Sequence, residues 1–316
     1  SGRHVFIEGN WFIIASVASG LKTFELNRDW EGPTLTGLPF RTLTPQTGLD
    51  PATNPDGYTE LSNFTIETTT SGNNFISANS SICCRLSKIT LLNKHVSNIS
   101  SNFIEMIYAT DIKIDDIKLV RLIDAPSVDS CSPFSIRAAW YCDLTNTDIY
   151  DFQYARLDGS STTGPIYKCK FDLGVVQTDL LFLTSNFVQQ CTFNIRTLLG
   201  RRFAQDNATS FYKCKFKFGE VKLTSTSYIQ GLANTLDVHD FYGVLQFNSR
   251  TLTPDGMDFN QLRSGRFHST VYFGNIPSVV VGIPVQLSTY SGEPKSQPAI
   301  RQHAAYVDSA GGADFT

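Results

Sequence analysis

The sequence contains none of the short motifs that mark common catalytic or nucleotide-binding sites. It has no G-x-S-x-G nucleophile elbow, no H-E-x-x-H zinc motif, no phosphate-binding G-x-x-x-x-G-K-[ST] loop and no dinucleotide-binding G-x-G-x-x-G. It also lacks a C-x-x-C pair, and its five histidines show no metal-ligand spacing. The sequence therefore predicts no cofactor and no bound metal, so that any catalysis would depend on carboxylates.

Long apolar runs and a strong net charge are absent as well. The most apolar stretch, 11–20, is interrupted by Ser and Gly and is shorter than the ~18 residues that a membrane-spanning helix needs. Lys and Arg together number 26, against 29 Asp and Glu. We therefore expect neither membrane insertion nor a nucleic-acid partner. The cysteines lack a pairing pattern and are expected to be free, buried thiols of a chain made in a reducing cytoplasm.

A repeated phrase is the most informative feature that the sequence does contain. Segments 167–171, 189–193 and 212–216 share a central cysteine and a final phenylalanine, and their cysteines lie 22 and 23 residues apart. The phrase alternates apolar and polar residues, which is typical of a strand with one buried face. Similar apolar-x-apolar triplets begin at Phe64, Ile89, Ile112, Cys142 and Leu236.

This period predicts a solenoid of stacked strands. The leucine-rich frame is absent, and no segment sustains the apolar spacing of helical repeats. We therefore predict an all-β fold, a right-handed parallel β-helix of about eight to nine coils with roughly 22–27 residues each. Cys169, Cys191 and Cys214 are expected to stack in one internal ladder at about 4.8 Å, and the phenylalanines two positions further on in a second ladder.

The chain divides into three predicted stretches. Residues 1–58 are expected to form a small β-module and a linker, with two strands joined by a Gly-Asn turn and a third strand around Phe24–Leu26. Residues 59–245 carry the period and are expected to form the β-helix. The period is lost in residues 246–316, where strands are expected to cap the open end or to mediate oligomerisation, followed by an extended polar tail.

The first stretch resembles a small β-module of bacteriophage tail proteins. The resemblance lies in Gly9–Val17, Phe24–Leu26 and the turn Asp29–Thr34, although Asp29 stands where that family usually has proline. With the β-helix and a distinct carboxy-terminal stretch, the layout resembles a tailspike or tail fibre. That resemblance implies a homotrimer located in the virion tail, attached to other tail proteins through its amino-terminal region. It also implies recognition of bacterial surface polysaccharide.

The period also places outward-facing residues in columns, which gives two candidate carboxylate clusters. Asp143 and Asp172 are expected to be diagonal neighbours about 7–8 Å apart, a separation that fits an inverting glycosidase pair. Asp237, His239 and Asp240 form the alternative cluster. Ordinary ion pairs on a solvated face would explain the same residues. The two predicted columns are Lys113, Asp143, Lys170, Thr192, Lys215, Asp237 and Asp115, Thr145, Asp172, Asn194, Lys217, His239.

Three functions remain open at this stage. The first, which we favour, is a tail protein that recognises host-surface glycan without cleaving it. The second is a polysaccharide depolymerase, a glycosidase or a lyase, on the same scaffold. The third is a cellular carbohydrate-active enzyme of the pectin-lyase type. Tyr150, Tyr154, Tyr167 and Tyr212 are expected either to stack on sugars or to pack between coils.

Overall fold

The computed structural model describes about three fifths of the chain, and every regular element within that part is a β-strand. An antiparallel sheet near the amino terminus has the order β3-β2-β1-β4. Its strands are β1 (His4–Ile7), β2 (Asn10–Val17), β3 (Phe24–Leu26) and β4 (Arg41–Leu43). The described residues are 4–7, 10–17, 24–26, 41–43, 59–68, 76–78, 82–93, 102–121, 132–157, 165–183, 186–204, 209–248, 260–273, 279–281, 285–291, 305–307 and 313–315.

The remaining strands are mostly parallel. They are β5 (Thr59–Thr68), β6 (Ile76–Ser77), β7 (Ile82–Asn93), β8 (Asn102–Ile107), β9 (Thr110–Arg121), β10 (Ser132–Arg137), β11 (Asp143–Leu157), β12 (Ile166–Tyr167), β13 (Lys170–Leu183), β14 (Asn186–Gln189), β15 (Thr192–Ala204), β16 (Thr209–Tyr212), β17 (Lys215–Leu223), β18 (Ser227–Leu232), β19 (Thr235–Tyr242), β20 (Leu245–Asn248), β21 (Asn260–Tyr272), β22 (Val279–Val281) and β23 (Val285–Ser291). A separate antiparallel pair follows, β24 (Ala305–Val307) with β25 (Ala313–Phe315).

Strands two apart in the chain pair with each other, which produces two interleaved parallel ladders. Odd-numbered strands pair in succession from β5 to β23. Even-numbered strands pair in succession from β6 to β10 and from β12 to β20. The predicted all-β class and long parallel sheet are thereby confirmed. Parallel pairing continues through β21 and β23 to Ser291, past residue 245 where the period predicted that the solenoid ends.

The repeated phrase is a corner between two strands, so the prediction of a single continuous strand was wrong at its centre. Tyr167 ends β12 and Lys170 begins β13, and Lys168 between them has φ of 50°. The equivalent residues Gln190 and Lys213 have φ of 53° and 54°. A left-handed residue turns the chain between the two strands, and the cysteine that follows it is buried. The signal was missed because lysine and glutamine are not typical left-handed residues.

Both predicted internal ladders are confirmed. The cysteines of the three phrases are fully or almost fully buried and occupy equivalent positions in successive repeats. Phe193 stacks face to face on Phe171 at 4.9 Å between ring centroids, and on Phe216 at 5.1 Å. These separations match the spacing of paired strands, because residues on neighbouring rungs of a parallel ladder are directly superposed.

The predicted alignment was wrong at both ends of the series. Leu236 pairs with Phe216, so the residue equivalent to Cys214 is Asn234. At the other end, Ile89 pairs with Ile117, and Cys84 is the residue equivalent to Ile112. The errors have one physical cause. Each long strand carries several apolar-x-apolar triplets, so a triplet alone does not determine which triplet of the next repeat is equivalent to it.

Asparagine replaces cysteine at the later rungs of the ladder and makes the same two contacts. Cys214 Sγ lies 3.4 Å from the Val188 carbonyl oxygen, and Asn234 Nδ2 donates to the equivalent carbonyl, that of Phe211, at 3.0 Å. On the accepting side, Asn234 Oδ1 takes the backbone N–H of Cys214 at 3.0 Å. Cys and Asn therefore have the same role at this corner, since either side chain provides a partner for buried backbone N–H and C=O groups.

Candidate functional site

In four successive repeats the long strand bends where its inward-facing pattern is interrupted, at the fifth and sixth residues of the strand. In β13 the buried residues are Phe171 and Leu173, then Val176 and Thr178, so two consecutive residues between the pairs lie outside the core. The same interruption occurs at 196–197, 219–220 and 239–240 in the following repeats. We call this row of residue pairs the outer bend. It brings side chains from four successive repeats to one edge of the molecule.

Glycine alternates with large polar residues along the outer bend. The register places Gly174, Arg196, Gly219, His239 and Gly265 in one column. A Cβ added at Gly219 would collide with the backbone carbonyl oxygen of Arg196, and one at Gly174 would collide with a side-chain oxygen of the preceding repeat. Gly219 is therefore required for the close approach of neighbouring repeats, whereas the clash at Gly174 is with a side chain that could move. The missing side chains of the glycines leave the polar residues between them uncovered.

An open groove of about 430 Å³ lies beside the outer bend and crosses four repeats. Its floor is formed by the strand faces around Leu173, Ile195 and Phe218. Its polar lining consists of Asp172, Asn194, Arg196, Lys217 and His239.

Asp172, the second member of the predicted carboxylate pair, lines this groove, whereas Asp143 lies in the neighbouring column outside it. Register places Asp143 opposite Lys170, two residues before Asp172, so the two acids are diagonal neighbours as expected. Both are ion-paired. Asp143 Oδ2 lies 2.8 Å from Lys113 Nζ, and Asp172 Oδ2 lies 3.3 Å from Lys170 Nζ. Their predicted catalytic role stays a prediction.

The alternative cluster is only partly in the predicted place. Asp237 pairs with Lys217 rather than Lys215, and it accepts a hydrogen bond from Ser264 Oγ at 2.9 Å. His239 belongs to the outer bend instead of the column that contains Asp172. Both corrections follow from the misaligned triplet at Leu236.

Asp240 is the centre of a charged cluster at the end of the outer bend. Its carboxylate lies 2.9 Å from His268 Nε2, 2.7 Å from Arg266 Nη2 and 2.8 Å from His239 Nδ1. The hydrogen bond with His268, supported by Arg266 and by the charge of His239, holds the pKa of Asp240 below its usual value, while desolvation opposes the shift. His239 is 75% exposed and also lines the groove, so this cluster fixes one end of it.

Two groups of aromatic residues lie along the repeats, one buried and one exposed. Tyr167 is buried against Tyr141, and Lys168 lies over both rings, so Tyr167 packs between repeats. Tyr242, which no sequence pattern singled out, is exposed and stacks on His268 at 4.2 Å between centroids. Lys222, whose Nζ lies 5.8 Å from the centre of the Tyr242 ring, also lines a second groove of about 510 Å³.

Sequence reasoning missed Arg196 as a site residue, because nothing marked the outer bend. The signal was present as a change in spacing of the apolar residues, from two positions apart to three. Asn194 and Lys217 were correctly placed in the column of Asp172 but were given no role.

Within the described ranges, no helix is long and apolar enough to cross a membrane. The described residues also contain no group of three or more His, Cys, Asp or Glu side chains placed to hold a metal ion. The chain matches no protein-family model, no curated protein and no solved structure. The groove must therefore be interpreted from its own residues.

Proposed function

We propose that this chain is the part of a bacteriophage tail protein that recognises a bacterial surface polysaccharide. In this proposal the two parallel ladders close into a right-handed β-helix, and the amino-terminal sheet attaches the chain to the virion tail. Three chains assemble as a homotrimer. The resemblance of segment 9–34 to tail-protein modules supports the tail assignment, and the groove supports the ligand.

The observation that carries the ligand assignment is the repetition of polar side chains along the groove. Asp172, Asn194 and Lys217 stand on successive rungs, about 4.8 Å apart along the stacking direction. A polymer of repeating polar units can form hydrogen bonds along such a row, because each unit contacts a new side chain at a similar spacing. Solenoids commonly bind extended ligands on surfaces of this kind.

The ion pairs of the two acids favour recognition over cleavage. A general acid must reach the glycosidic oxygen of its substrate, and a carboxylate held in an ion pair is already occupied by its partner. Asp143 and Asp172 each have a lysine ammonium within 3.3 Å. Depolymerase activity remains the second candidate function, since Asp172 and His239 line one groove.

The test is binding of the purified chain to capsular and O-antigen polysaccharides from a panel of bacteria, measured by calorimetry. Reducing ends and unsaturated products are followed in the same samples. We expect binding without release of oligosaccharides. Asn194→Ala should weaken binding about fivefold, the equivalent of about one hydrogen bond. Thr192→Ala is the matched control, because Thr192 lies on the same strand and is partly exposed but does not line the groove.

Absence of binding across the panel would refute glycan recognition. Release of oligosaccharides would establish the depolymerase instead, and Asp172→Asn and Asp143→Asn would then separate a catalytic pair from a binding groove. Light scattering of the same preparation measures the mass of the assembly and would contradict the trimer if it gave that of a single chain.

A further inference from the structure

We infer that the polysaccharide recognised in the groove is anionic, and that Lys217 and Arg196 bind its acidic groups. The inference rests on the proposed glycan recognition and names the chemical class of the ligand. It is carried by an imbalance in the groove, where the acidic side chains are held by other partners but two cations have no acidic partner among the residues that the structure describes.

The acids around the groove are engaged elsewhere. Asp172 pairs with Lys170, and Asp240 is held by Arg266 at 2.7 Å and by two histidines. Asp237 is the register neighbour of Lys217, but it accepts its hydrogen bond from Ser264. Among the residues that the structure describes, no carboxylate lies within the 4.0 Å ion-pair distance of Lys217 Nζ or of the Arg196 guanidinium.

Arg196 is kept open by its neighbours on the outer bend. Gly174 and Gly219 flank it in the column, and neither has a side chain that could cover the guanidinium. Asp148 lies on the same edge, where its Oδ1 accepts the backbone N–H of Val175 at 2.7 Å, and it is not within ion-pair distance of the Arg196 guanidinium. The exposed guanidinium therefore retains donors for a ligand carboxylate or phosphate, which it binds in a bidentate manner.

The two cations are placed for successive acidic groups of a polymer. Lys217 lies one rung and two residues away from Arg196, which corresponds to about 8 Å. Both side chains line the same groove and are exposed. A neutral glycan would leave these two charges without counterparts, whereas a polymer with acidic groups would neutralise both along its length.

The test compares acidic and neutral polysaccharides of the bacterial panel, together with carboxyl-reduced and dephosphorylated forms of each acidic polymer that binds. We expect binding to be confined to acidic polymers and to be lost when the acidic group is removed. Loss of binding after carboxyl reduction would identify a carboxylate as the recognised group, and loss after dephosphorylation would identify a phosphate. Lys217→Gln and Arg196→Gln should each weaken binding about two- to fivefold at low salt. Lys217→Arg should retain it. Affinity should fall as salt rises.

Lys215→Gln is the matched control, since it removes the same charge from an exposed position on β17 outside the groove. Unchanged circular dichroism and melting temperature establish folding of each variant. Equal binding of a neutral or charge-stripped polymer would overturn the anionic assignment and leave glycan recognition intact. Equally tight binding of single-stranded DNA, lost in Lys217→Gln, would also overturn it in favour of a general polyanion surface. Failure of every polysaccharide to bind would refute the proposed function itself.

Discussion

Replacement of Asn234 tests the equivalence of cysteine and asparagine at the inner corner. The Asn234 side chain accepts the backbone N–H of Cys214 at 3.0 Å and donates to the Phe211 carbonyl oxygen at 3.0 Å and to Asn260 Oδ1 at 2.9 Å. It is 2% exposed, so water cannot replace these partners. Asn234→Ala removes all three contacts and leaves the N–H of Cys214 buried without an acceptor.

An orphaned buried amide costs about 1–3 kcal/mol in the free energy of unfolding, and the loss of the two donated bonds adds to it. Asn234→Cys is expected to cost less. In the earlier rungs a cysteine sulfur already takes this position, where Cys169 Sγ lies 3.4 Å from the backbone N–H of Cys142 and 3.5 Å from a carbonyl oxygen. Sulfur is a weaker acceptor than an amide oxygen, so the rescue should be partial.

The assay is urea unfolding followed by circular dichroism under reducing conditions, on the wild type, Asn234→Ala and Asn234→Cys. The expected order of the free energy of unfolding is wild type, then Cys, then Ala. Equal destabilisation by Cys and Ala would refute the equivalence of the two residues. Thr235→Ala, one position further on and partly exposed, controls for a general effect of substitution in this repeat.

Three further expectations concern the core and the charged cluster. Phe193→Ala, which removes a fully buried ring stacked on both sides, should lower the free energy of unfolding by about 3–5 kcal/mol in urea titration, while Thr192→Ala should change it little. Burial raises the pKa of Cys191, so iodoacetamide should not modify it in the native protein at pH 8, and peptide mapping should find it modified only after unfolding. The lowered pKa of Asp240 stabilises the fold above the unfolded value of about 3.9. The stability difference between wild type and Asp240→Asn should therefore be present at neutral pH and disappear as pH falls through the folded pKa, and a pH-independent difference would contradict this assignment.

The inner ladders could be predicted from the sequence because their chemistry repeats unchanged. Cys169, Cys191 and Cys214 recur at nearly constant distance with phenylalanine two positions later, and a buried position that repeats in every turn must superpose in a parallel ladder. The sequence pattern did not identify Asn234 as the next rung of the cysteine ladder, because the residue type changes there while the hydrogen bonds stay the same. A search for side chains that can both donate and accept a hydrogen bond, instead of apolar side chains, would have extended the ladder to Asn234.

The outer bend could not be read from the repeated phrase, because its residues have little in common. Glycine alternates there with arginine and histidine, so consecutive repeats look unrelated. What does repeat is the interval between inward residues, such as Leu173 to Val176 and Phe218 to Val221. An interval of three within a strand of period two requires the chain to turn, since otherwise the second half would face solvent.

The shape of the groove is determined by the packing of neighbouring repeats. Neighbouring repeats approach so closely at Gly219 that a methyl group would collide with the carbonyl oxygen of Arg196, so the backbone alone demands glycine there. An alternation of glycine with longer residues then leaves an unfilled space beside each long side chain. Lys217, which faces this space from an exposed strand position, makes no comparable packing contribution. Stability and the proposed recognition are therefore separable at the groove: Gly219 sets its shape, whereas Arg196 and Lys217, which have no ion-pair partner among the described residues, would set the charge of a ligand.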